Sequence, residues 1–146
     1  MKGKWYKDKF HLYWLDDNKR IMVIKYVKTY DWLDYYGMME VAADLVEGIA
    51  HPVVYINDFA GTIEIPTRDA VPHYLNMRRM FASPKMVMIL RTSQQRHQVN
   101  IHSGSVGARI GEDIFLADSF DDAVQIAKNK SMQLMTQHVA ASSADR

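Results

Sequence analysis

The chain has 146 residues, a formal net charge of +1 and no cysteine, a size that fits one domain, 1–146, with a substantial core. The missing thiols exclude disulfides, thiol catalysis and thiolate metal sites, and the small net charge gives no overall pull toward nucleic acid or membrane. No apolar run reaches bilayer-spanning length and no signal-peptide pattern is visible, so the expectation is a cytoplasmic protein with no integral membrane segment and no nucleic-acid partner.

Residues 1–9 set Lys2, Lys4, Lys7 and Lys9 around Trp5 and Tyr6 and read as a loosely held leader. Phe10 to Leu15 alternates as a strand, with Phe10, Leu12 and Trp14 on one face. Asp16, Asp17 and Asn18 are turn residues, and Arg20 to Lys28 is a β-rich run, so the pair reads as an antiparallel hairpin. Asp31 is placed to cap a helix, because its carboxylate can accept a free N–H of the first turn. Trp32, Tyr35, Met39, Ala42, Val46 and Ile49 keep helical spacing, the helix is expected to end near Gly48, and Pro52 forbids continuation. Val53 to Asp58 reads as a short apolar strand of the kind buried on both faces.

A loop over 59–66 precedes a second helix starting near Asp69, with Pro72 in its first turn. Val71, Tyr74, Leu75, Met77 and Phe81 are expected to face inward, and Ser83-Pro84 to end the helix. Met86 to Leu90 is the next buried strand. Thr92 or Ser93 caps a third helix running to about His102, anchored by Val99 and Ile101. Gly104 and Gly107 break the pattern, and Ile114 to Ala117 forms a short strand. Ser119 to Asp122 opens a last helix whose buried side is Phe120, Ala123, Val124 and Ala127, extending to about Val139 before the chain frays. The sum is an α/β domain: a mixed sheet of roughly five strands, an N-terminal antiparallel hairpin, then β-α-β-α-β-α, with helices mainly on one face.

That order of elements resembles the anti-sigma-factor-antagonist (STAS) domains. The similarity is carried by His51-Pro-Val-Val-Tyr-Ile-Asn-Asp58, which looks like the family's central strand ending in aspartate, and by Phe115-Leu-Ala-Asp-Ser-Phe-Asp-Asp-Ala-Val124, which looks like its last strand and final helix. Pro84 to Arg91 falls where the next family strand belongs. The resemblance covers about residues 10–130 and points to the uncharacterised bacterial, STAS-like branch, with 131–146 as a helix extension and tail. It implies a non-catalytic regulatory or protein-interaction module, most simply a homodimer. Phosphoswitch members carry a serine turn where this chain has Ile65-Pro-Thr-Arg-Asp-Ala70, so Thr67 is the one candidate phospho-acceptor, or else a loop or capping residue.

The stretch from His73 to Ile110 contains no acidic residue but holds Arg91, Arg96 and other cations. Arg91 ends a strand and Ser93 to Arg96 open a helix, so backbone N–H groups there, with both guanidiniums, form a candidate anion site. Together with Asp58 at a strand tip and Thr67, these residues (Asp58, Thr67, Arg91, Ser93, Arg96) define the alternative function: a carrier or sensor of a small anionic or lipid-like ligand. A solvated basic face, with Asp58 as a loop cap, is the plainer account of the same residues. His97 and His102 stand five apart, on different faces of a helix, and the remaining histidines lack ligand spacing, so no metal and no cofactor is expected. Met38, Val41 and Leu45 widen the apolar arc of the first helix beyond one packed face and are a candidate interface.

Overall fold

A computed structural model describes residues 3–59, 64–80, 85–105 and 107–144, with 77–80 and 144 as backbone only. The described residues form one six-stranded sheet in the order β1-β2-β3-β4-β5-β6, with four helices. The strands are β1 Lys4–Tyr6, β2 Phe10–Trp14, β3 Ile21–Tyr26, β4 Val54–Phe59, β5 Lys85–Ile89 and β6 Ile114–Ala117. The helices are α1 Trp32–Val46, α2 Ala70–Met80, α3 Ser93–Ser105 and α4 Phe120–Ala144. β1, β2 and β3 pair antiparallel, and β3 to β6 pair parallel.

Sequential strand order decides where the helices lie. Parallel crossovers are right-handed as a rule, so three of them, each stepping one strand in the same direction, put their helices on the same face. α1, α2 and α3 accordingly meet Met22, Ile24, Tyr26, Tyr55 and Phe59. The alternate residues Ile21, Val23, Val54, Ile56, Val87 and Ile89 point the other way, where α4 is the one helix among the described residues that covers them, through Ala123 and Ala127. β4 is buried at every position, its polar Asn57 and Asp58 included, as befits a strand covered on both faces.

The sixth strand comes from the expected leader. Lys4 to Tyr6 pairs with Phe10 to Leu12 through a turn in which Lys7 and Asp8 both take positive φ, closed by the Lys9 N–H donating to the Tyr6 carbonyl. Left-handed backbone at two non-glycine residues costs about 1–2 kcal/mol each. Asp34 offsets it: this buried carboxylate receives Lys7 Nζ at 3.0 Å and Lys9 Nζ at 2.6 Å. It also completes the cap of α1, accepting the Asp31 N–H while Asp31 Oδ1 accepts the Asp34 N–H. The hairpin is thereby fastened to the first turn of α1. The lysine pattern of 1–9, read alone, lacked this partner and so suggested a free segment.

Other differences are local. Leu75 and Ile101 are exposed rather than inward-facing. Met77 has no described side chain, and Phe81 with Ser83-Pro84 lies outside the described residues. α3 continues to Ser105, taking Gly104 into its last turn, and α4 continues to Ala144.

Candidate functional site

Among the described residues, the α1–α3 face of the sheet leaves a space unfilled. A cavity of ≈ 200 Å³ lies between β3, β4 and β5 below and α1, α2 and α3 above. Its floor includes Tyr26, Tyr55, Asn57 and Met88; Tyr35, Met39 and Ala42 of α1 form one wall, and Val99, His102 and Ser103 of α3 another. Tyr74 of α2 and Ile65 complete its lining. Small side chains at Ala42 and Ser103 stand where larger ones would occupy the space.

The lining is aromatic. Five of the chain's eight tyrosines, Tyr26, Tyr30, Tyr35, Tyr55 and Tyr74, border the cavity, as does Phe59. Tyr26 stacks on Phe59 with centroids 4.3 Å apart, and Tyr74 meets Tyr35 edge to face at 6.4 Å. Burial holds the hydroxyls of Tyr26, Tyr30, Tyr35 and Tyr74 protonated well above the ordinary range and pushes Tyr55 up to about 12. A wall that resists phenolate formation equally resists a charged guest.

Few polar atoms punctuate it. The Tyr26 hydroxyl donates to Asn57 Oδ1 at 2.7 Å, fixing the buried amide in the floor. His102 Nε2 lies 3.1 Å from Gln98 Oε1, an acceptor, so Nε2 carries the proton and Nδ1 the lone pair. That Nδ1 is buried and has no hydrogen-bond partner among the described residues, and burial lowers the pKa of the ring. The formal charges at the cavity, Lys85 and Asp113, pair with each other at 3.5 Å.

α2 is pinned above the cavity by its rim. Trp32 stacks on His73 at 4.6 Å and donates from Nε1 to the Arg68 carbonyl at 2.6 Å. The Tyr36 hydroxyl accepts from Asn76 Nδ2 at 2.9 Å and lies 2.7 Å from His73 Nδ1.

The residues singled out from sequence fall elsewhere. Asp58 projects from β4 to the α4 face, is buried, and meets the Arg91 guanidinium at 3.7 Å; its Oδ1 accepts no hydrogen bond among the described residues. Burial raises its pKa, with Arg91 and Lys25 opposing. Because the sheet runs in chain order with no reversal, the tip of β4 does not open into the crevice that ligands occupy at a switch point. Arg91 also donates to the Asp118 carbonyl at 3.3 Å, and Arg96 pairs with the Asp118 carboxylate. Thr92, not Ser93, caps α3: its Oγ1 accepts the Gln95 N–H at 3.1 Å, while Gln95 Oε1 accepts the Arg91 and Thr92 N–H groups. The cations expected to hold an anion are thus engaged by acidic neighbours, and backbone donors at the helix start by the chain's own side chains. Ser93 is the first residue of α3.

Thr67 is exposed, just before α2, on the opposite side of the sheet from the Asp58 side chain, and its carbonyl accepts the Ala70 N–H at 3.3 Å. Met38 is fully buried against the sheet and belongs to the core, which corrects its reading as an interface residue; Val41 and Leu45 are half-buried and pack on that core. A broad apolar arc was needed because α1 packs against both the sheet and the β1–β2 hairpin. Among the described residues no His/Cys/Asp/Glu cluster has metal-binding geometry, and no helix is long and apolar enough to cross a membrane. The tyrosines and His102 escaped sequence reasoning, although one signal was present: tyrosines concentrate at core-facing positions of β3, α1, β4 and α2.

No family model matches the chain, and no curated protein matches it.

Proposed function

We propose that the protein is a non-catalytic binding module that takes a small, neutral, ring-bearing molecule into the tyrosine-lined cavity beneath α2. The observation that carries this reading is the cavity itself, ≈ 200 Å³ with aromatic walls. An apolar cavity of about 150 Å³ accommodates benzene, so this one suits a guest of about eight to ten non-hydrogen atoms. Aromatic faces and edges complement another ring, and the undissociated tyrosines disfavour an anion. The ligand-carrier expectation is therefore retained with its chemistry changed from anionic to neutral and its site moved from Asp58, Arg91 and Arg96 to the α1–α3 face. Thermal melting with benzene, toluene, indole and p-cresol tests it, because a ligand that binds only the folded state raises the melting point. A rise with at least one of these, abolished by filling the space through Ala42→Leu, supports the module; four silent melts refute it.

A second reading, self-association, rests on α4. Its 25 residues span about 37 Å, whereas the six residues of β4 span about 20 Å, so the helix outruns the sheet. Residues 131–144 contain no Asp, Glu, Lys or Arg, and Met132 and Val139, one heptad apart, are 68% and 58% exposed. An uncharged helix face meets a second copy without like-charge repulsion, which suits the homodimer expected from the STAS-like resemblance. Sedimentation of wild type and Val139→Glu tests it: a dimer lost in the variant supports this reading, and a wild-type monomer ends it.

A further inference from the structure

His102 gives the cavity a polarity that its volume does not. Gln98 Oε1 takes the proton on Nε2, which leaves Nδ1 a pure acceptor. That nitrogen is buried without a partner among the described residues. A buried acceptor left unpaired is costly enough that native interiors rarely keep one. The ring nevertheless belongs to the cavity wall, with the Tyr74 ring centred 5.8 Å away. Burial lowers the pKa of the imidazole, which favours the neutral ring whose Nδ1 carries a lone pair. Across the floor, Asn57 Oδ1 is occupied by the Tyr26 hydroxyl, which makes Nδ2 the donor end of that amide.

We infer that the cavity selects aromatic alcohols: a phenol-type hydroxyl donates to His102 Nδ1 while its ring lies among the tyrosines. The inference rests on the cavity being a ligand site, as proposed above. Nδ1 has almost no accessible surface of its own, so the hydroxyl reaches it only as the His102 and Tyr74 rings, both in the cavity wall, shift to admit it. A guest of equal shape without the donor leaves Nδ1 unpaired, and that difference sets the specificity. An ionised phenol is disfavoured twice, by the tyrosine walls and by loss of the donated proton.

The test compares p-cresol with p-xylene, which differ by hydroxyl against methyl at nearly equal volume. Affinities are measured by titration calorimetry on the full chain, wild type and His102→Leu. The expected result is that the cresol-to-xylene affinity ratio falls about tenfold in the variant. In the wild type, the ¹⁵N resonance of His102 Nδ1 is expected to move upfield with p-cresol and to stay in place with p-xylene. That resonance decides the matter if the variant fails to fold. Both ligands binding with an unmoved Nδ1 resonance overturns the role of His102 and leaves the cavity reading intact. Neither ligand binding overturns both.

Discussion

Gly37→Ala is expected to change sign with its background. Gly37 lies in the middle of α1, where alanine favours the helix by about 1 kcal/mol. Tyr6 of β1 crosses the helix at this point: a Cβ added to Gly37 would overlap Tyr6 Oη and Cζ and lie 2.7 Å from Cε1. Real Cβ contacts are never this close, and an aromatic ring cannot flex aside as a lysine tip does. Tyr6 packs on the core and its ring stands 6.2 Å from that of Phe10, so it must leave its seat. Fully burying such a side chain is worth about 1.5–3 kcal/mol. Losing most of that, against the helix gain, makes Gly37→Ala destabilising by about 1 kcal/mol in the wild type. In a Tyr6→Ala background the obstacle is gone, and the same change stabilises by about 1 kcal/mol. Urea unfolding of the four proteins in this double-mutant cycle, followed by circular dichroism, gives the coupling directly. A stabilising Gly37→Ala in the wild type, or a destabilising one once Tyr6 has been truncated, would refute the packing of β1 on α1.

Two buried aspartates should respond to pH in opposite directions. Asp34 is held well below the carboxylate range, chiefly by its hydrogen bond from Lys9 and then by that from Lys7, against the opposing effect of burial. Its contribution is present above the unfolded value near 4 and is lost as pH falls through the folded one. Asp34→Asn should therefore lower stability at pH 7 by about 2 kcal/mol, with the gap to wild type narrowing in acid; a gap independent of pH would count against the two lysine contacts. Asp58 is shifted upward by burial, so its ionised form is a penalty that sets in as pH rises from about 4 through the raised folded value. Asp58→Asn should sit within about 1 kcal/mol of wild type, or above it, at pH 7, since the half-exposed Arg91 can turn to water. A loss of several kcal/mol in urea unfolding would show that the Arg91 pair outweighs the burial.

The fold was legible because its signals are local. The apolar start of β4, the Asp31 cap of α1, and the alternation of Phe10, Leu12 and Trp14 each follow from a few neighbouring residues. What escaped depends on distant partners. β1 forms because Lys7 and Lys9 meet Asp34, and Tyr6 meets Gly37, across more than twenty residues of chain. The same holds for the anion site: Arg91 and Arg96 stand in an acid-free stretch, but Asp58 and Asp118 reach them from other elements. The cavity is harder still, since a void is a property of several elements at once, and no single tyrosine announces it.

The sheet's two faces are also finished at different moments. Each strand from β2 onward joins a neighbour already made, and α1 to α3 close their face as the chain lengthens. The opposite face waits for α4, which follows all six described strands. Until that helix leaves the ribosome, the stripe of Val23, Ile56 and Val87 across three adjacent strands is bare to water. A nascent chain halted at β6 thus presents the kind of transient apolar stripe through which partly folded chains stick to one another.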